Sequence, residues 1–135
     1  MMQVLKARGV RARFVAATAA GLLLLSSVSL ANLSNKWRLE FSGDAESTGV
    51  IVLRITPKGG TPIDATINVD KGTGENSVAQ KVMLGLQAQL PADQYHVERD
   101  DGEDVLIKKE DDTVDFSVTI VSSTLKGVRI NPDEE

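Results

Sequence analysis

The sequence predicts an α+β domain: a mainly antiparallel sheet with one amphipathic helix packed on one face, in the order β-β-β-α-β-β-β. Three observations predict it. Beyond an N-terminal leader, helical spacing is confined to Thr73–Pro91, where Val78, Val82, Leu86 and Leu90 recur every fourth position and Ala79 and Met83 widen the stripe. The runs before and after it alternate apolar and polar residues with the period of a strand. The links between those runs are short and rich in Gly, Asp and Pro, which suits hairpins and so antiparallel pairing. A helix with one apolar face has to bury it, and the sheet is the partner at hand.

Residues 1–31 read as a secretory signal peptide and not as part of the fold. Lys6, Arg8, Arg11 and Arg13 form a basic start, Phe14 to Leu25 an apolar centre, and Ser29-Leu30-Ala31 a small-residue cleavage site. Cleavage after Ala31 is expected. The apolar centre falls short of the roughly 20 residues that span a bilayer. Ala12 separates Arg11 from Arg13, so no twin-arginine pair is present, and the chain has no cysteine to carry a lipid. These features predict general export to the periplasm of a Gram-negative-type cell, or beyond it, with no membrane attachment after cleavage.

The leader holds four of the 15 basic residues and none of the 19 acidic ones, so the chain from Asn32 carries 11 against 19, a net −8. That balance argues against nucleic acid or anionic lipid as a partner, since both require clustered Lys and Arg. The remaining 104 residues make one small domain, 32–135, large enough to hold a core without the disulfides on which many exported domains depend.

The elements follow in order. Lys36-Trp37-Arg38-Leu39-Glu40-Phe41-Ser42 alternates, with Trp37, Leu39 and Phe41 on one side. Thr48 to Thr56 is apolar on both sides through Val50-Ile51-Val52-Leu53, which predicts the central strand. Pro57-Lys58-Gly59-Gly60 ends it. Ile63, Ala65, Ile67 and Val69 alternate with polar residues in a third strand. Lys71-Gly72-Thr73-Gly74 leads into the helix, with Ser77-to-Gln80 as a capping box, or Thr73 or Asn76 as the cap. Gly85 lowers helix propensity by about 1 kcal/mol relative to Ala, and a close approach to the sheet would account for it. Pro91 stops the helix.

After the helix, Tyr95 and Val97, then Val105 and Ile107, form a pair of strands around the Asp101-Gly102 turn. Val114, Phe116, Val118 and Ile120 make the next strand, and Val128 and Ile130 a short closing one. Asn131-Pro132-Asp133-Glu134-Glu135 reads as a solvated acidic tail.

The chemistry available is sparse. His96 is the sole histidine, on the polar side of its strand, and Ser77, Ser117, Ser122 and Ser123 stand in no nucleophile-elbow context. A zinc site of the usual kind would need more His or any Cys. Asp100, Asp101, Glu103 and Asp104 crowd one turn and Glu110, Asp111 and Asp112 another, yet neither supplies the distal bidentate Glu of a calcium loop. Four aromatic residues beyond Phe14 are too few to line a sugar-cleaving groove. The Gly72-Thr73-Gly74 turn lacks both the Gly-Lys-Ser/Thr ending of a phosphate loop and the spacing of a dinucleotide fingerprint. The reading is therefore non-enzymatic, with no catalytic, cofactor-binding or metal residue and no cofactor.

The succession of the Gly49-to-Ile55 strand, the Val69-Asp70-Lys71-Gly72 lead-in, the Val78-to-Leu90 helix, Tyr95-His96-Val97 and Asp104-Val105-Leu106-Ile107 resembles a small β-β-α-β-β module of phage tail and related assembly proteins. The resemblance implies the fold type and an assembling, non-enzymatic role.

Two functions fit these residues, and an enzyme dependent on His96 stands behind them as a third alternative. One is an exported binding or assembly domain that meets a protein partner, or another copy of itself, through a sheet edge or face, with Val50, Val52 and Val121 on the surface a helix leaves uncovered. The other is a soluble inhibitor or accessory factor whose acidic turns dock on a basic target.

Overall fold

A computed structural model describes residues 32–135, and the signal peptide expected at 1–31 lies outside the described residues. The described chain forms β1 (Lys36–Ser42), β2 (Gly49–Pro57), β3 (Ile63–Val69), α1 (Glu75–Gln89), β4 (Tyr95–Asp100), β5 (Asp104–Lys109), β6 (Phe116–Ser123) and β7 (Arg129–Glu134). The α+β class holds, with every strand pair antiparallel. The strands divide into two sheets: β4-β5-β1-β7 and β3-β2-β6. A single isolated bridge, Ser34 to Phe116, ties the start of β1 to the start of β6.

Period-two patterning decides which side chains go inward. Trp37, Leu39 and Phe41 of β1 join Val105 and Ile107 of β5, and Ile51, Leu53 and Ile55 of β2 join Ala65, Ile67 and Val69 of β3, all in one buried cluster. Val78, Ala79, Val82 and Leu86 of α1 enter the same cluster, as the four-residue spacing predicts. The helix touches β3 of one sheet and β4, β5 and β1 of the other, so its face closes the core between them. β2 is central in its sheet, as expected, with Val50 and Val52 half-buried on the outer side. The core draws on both sheets and the helix within residues 37–125, so this unit buries its own apolar surface.

Gly85 faces β3 at close quarters: a Cβ there would stand 2.8 Å from Ile67 Cγ1. The gap admits hydrogen and nothing larger, which is why a poor helix former sits mid-helix.

Two expectations are corrected. The helix carries no side-chain cap; Gly74 is the N-cap residue, and the Thr73 hydroxyl donates instead to the Asp70 carbonyl at 2.7 Å. The acidic tail is not free: residues 129–134 form β7, registered against β1 from Ser42↔Arg129 to Trp37↔Glu134. Its negative charge and Pro132 suggested solvent, but Val128 and Ile130 pack against the core, and the acids fall beside Lys36 and Arg38. A proline is tolerated there because β7 is an edge strand.

Candidate functional site

The groups that could suggest catalysis are occupied elsewhere. His96 is exposed on β4, with Nε2 3.1 Å from Glu98 Oε2, and Lys108 Nζ reaches the other oxygen of Glu98 at 2.9 Å. These two partners, Lys108 first, hold the Glu98 carboxyl below its ordinary range. No serine joins them, so Glu98 makes one contact along β4, to His96, and one charge pair across to β5, with Lys108. In the acidic turn, Arg38 Nη1 bonds Asp104 Oδ2 at 2.7 Å and Asp100 Oδ2 at 3.1 Å, while Nη2 takes Glu135 at 3.2 Å. The Asp104 bond, chiefly, holds the Arg38 guanidinium above its usual range. Asp104 is 7% exposed, and its second oxygen has no partner among the described residues. Those acids therefore brace β1 against the β4–β5 hairpin. The Gly72 turn is equally committed: Gly72 N–H donates to the Ala45 carbonyl and Ala45 N–H to the Thr73 carbonyl.

What distinguishes one region is the state of the sheet edges. A strand at an edge presents unpaired N–H and C=O groups that invite another strand, and proteins block them with side chains, charge or proline. Three of the four edges among the described residues carry such a block at one or more positions. At β3, Gln89 lies alongside as a short strand would: its Oε1 accepts from Thr66 N–H and its Nε2 donates to the Thr66 carbonyl, both at 2.9 Å. At β4, Gln87 Nε2 donates to the Val97 carbonyl at 2.9 Å, Tyr95 N–H donates to the Pro91 carbonyl, and Glu98, Arg99 and Asp100 crowd the strand with charge. At β7, Glu135 N–H bonds the Lys36 carbonyl, so strand alternation turns Ile130, Pro132 and Glu134 outward. Pro132 has no N–H to offer there.

The β6 edge is different. Its first residue is held: Phe116 exchanges both backbone bonds with Ser34 at 2.9 Å, and Trp37 Nε1 also donates to the Phe116 carbonyl. Its far end is held by Thr124, whose N–H bonds the Val50 carbonyl and whose Oγ1 accepts from Val50 N–H at 2.8 Å. Between these anchors, alternation points the backbone groups of Ser117 and Thr119 toward β2 and those of Val118 and Ile120 away from it. No group among the described residues bonds Val118 or Ile120 on that side. A register shift opposite Val52/Leu53 leaves Val121 as the extra residue of a bulge, which ends this phase of the edge.

The side chains there are apolar and uncharged. Ile120 is 37% exposed and Val121 45%, and β6 carries no ionisable residue from Phe116 to Ser123. The outer face beside it holds Val50, Val52, Thr56, Thr66 and Thr119, with one bidentate ion pair, Arg54 to Asp64 at 2.7 and 2.9 Å. Of the surface residues the sequence singles out, Val121 lies at this edge and Val50 and Val52 on the adjoining face. Val118 and Ile120 carry the open backbone groups and escape sequence reasoning. The signal for them is an uncharged run, Phe116–Thr124, in a chain otherwise dense in acids.

No protein-family model matches this chain, and no curated protein sequence matches it. Among the described residues, no helix is long and apolar enough to cross a membrane.

Proposed function

We propose that this protein is an exported, non-catalytic binding or assembly domain that accepts an extended strand of a protein partner along β6. One observation carries the reading: the other three edges each bear a covering side chain or a proline, whereas both outward positions of β6 between its two anchors are uncovered and uncharged. A fixed edge loses little freedom when a strand is laid on it, so main-chain bonds count fully toward binding. Export is supported by the basic, apolar and small-residue segments of residues 1–31.

The test is a peptide array of extended segments, probed with the chain from Asn32 to Glu135. Ile120→Lys with Val121→Lys places charge on the edge without entering the core and is expected to weaken binding at least tenfold. Leu84→Lys, on the exposed side of α1, serves as the control and should bind as the parent does. Equal binding by parent and β6 variant would remove the proposal.

A second reading has support of its own. Asp93, Glu110, Asp111 and Asp112 rim a shallow hollow, and the Glu110 N–H donates to the Gln94 carbonyl, which joins the two turns. A soluble inhibitor docking these acids on a basic target would lose affinity steeply with salt and on charge removal at Asp111 and Asp112. Strand uptake at β6 is insensitive to both.

A further inference from the structure

The open edge narrows what can lie on it. An antiparallel neighbour has to set its own outward-facing residues against Val118 and Ile120. It meets a surface with no charge to recognise, since β6 has none and the nearest pair, Arg54 and Asp64, satisfies itself. It also meets an incomplete apolar contact. Ile120 stands opposite Leu53, so it points to the core side of the sheet, yet it is 37% exposed because the sheet stops there.

Resting on the reading of β6 as the binding edge, we infer that the strand completing it is the β6 of a second copy of this chain, antiparallel about a two-fold axis at Thr119. In that register Val118 of each copy faces Ile120 of the other. Both are outward-facing positions, so each pair exchanges two backbone bonds, about four in all. The valine of one copy covers the isoleucine of the other on the core side, where the cross-strand neighbour is lacking. The two three-stranded sheets then join over Val118–Ile120 alone, since Ser34 already takes the outward bonds of Phe116.

Charge selects this occupant over the rest of the surface. The chain from Asn32 has 11 basic and 19 acidic residues, so two copies repel at most approaches. Pairing through β7 would set Asp133 and Glu134 of one copy near those of the other, and pairing through β4 would double Glu98 and Asp100. β6 lets two copies meet with no like charges opposed. The bulge at Val121 restricts the open stretch to this one short register.

Because the chain has no cysteine, a single one reports the geometry. The axis places the two Thr119 Cα atoms at about 4.5 Å, a non-hydrogen-bonded pair within disulfide reach. Mild oxidation of Thr119→Cys in the chain from Asn32 should yield covalent dimer, while Leu84→Cys at equal concentration should not. Sedimentation should show concentration-dependent dimer in the parent and monomer in Ile120→Lys, with circular dichroism confirming that the variant folds. Cross-linking of Thr119→Cys no faster than of Leu84→Cys, or a dimer that survives Ile120→Lys, would overturn self-pairing. The peptide array reads separately: strands bound through β6 by a chain that stays monomeric would sink only the second-copy occupant, and no β6-dependent binding by either method would sink the edge itself.

Discussion

The outer faces of the two sheets are built to opposite plans. On the four-stranded sheet, Lys36, Arg38, Glu98, Asp100, Asp104 and Lys108 are tied into ion pairs, and beneath them Leu106, though it points away from the core, is only 4% exposed. Arg38 alone ties together β1, the two ends of the β4–β5 turn and the C-terminal Glu135. On the three-stranded sheet the same kind of surface is Val, Thr, Ser and Asn, with a lone ion pair open to solvent. One face satisfies itself and the other is left with capacity to spare. Acidity in the sum of residues thus says little about where a partner can sit. The distribution decides it.

The comparison is most sharply broken at its two arginines. Arg38→Met leaves Asp104 and Asp100 facing each other without a counter-charge in a mostly covered site. Its expected loss is about 2–3 kcal/mol in urea unfolding, toward the lower end for breaking a covered charge pair. Arg54→Met removes an equally short, bidentate pair from open solvent and should leave the unfolding midpoint where it was. Equal losses at the two positions would mean that burial does not separate the faces.

A smaller effect is expected from Gln89→Ala, which strips the cover from β3. Two backbone groups of Thr66 lose their partners to water, so the loss in stability should be about 1 kcal/mol, with markedly faster exchange of the Thr66 amide. The telling result is at β6: exchange at Val118 and Ile120 should not change. Protection at Thr66 that survives the substitution would show that the glutamine is not what closes that edge.

The smallest effect lies in the acid range. Lys108 and His96 depress the Glu98 carboxyl, so as pH falls the unfolded chain takes up its proton before the folded one does. The stabilisation is present above the ordinary value of 4.5 and is lost as pH drops through the lower folded value. Glu98→Gln should flatten that part of the stability profile slightly, since the carboxylate is exposed. A profile with the same slope in both proteins would assign the acid sensitivity to other groups.

Local features of the fold were legible in the sequence and long-range ones were not. The four-residue spacing of Val78, Val82, Leu86 and Leu90 named both the helix and its buried side, because helix periodicity is a property of neighbours. Gly85 pointed to a close approach for the same reason: the cost of glycine in a helix has to be met by something nearby. The division into two sheets was not legible, since it depends on which strands far apart in sequence come together, as β1 does with β7. The strand at 129–134 was hidden by its own composition, with acids and a proline outweighing the alternation of Val128 and Ile130. The edge residues were hidden most completely. A glutamine on an exposed helix face looks the same whether it seals Thr66 or points into water, and Val118 becomes an edge position only once β2 is known to lie on one side of it and nothing on the other.

A cover on Thr66 of β3 and none on β6 gives the three-stranded sheet two unlike sides. With a strand laid on β6, the opposite edge of the described sheet still has Thr66 covered by the amide of Gln89, so the two edges are not equivalent. Stacking into long cross-β arrays requires two such sites on every subunit, one to receive and one to offer. Gln89 therefore opposes onward strand addition at Thr66, where a second site of growth would otherwise begin.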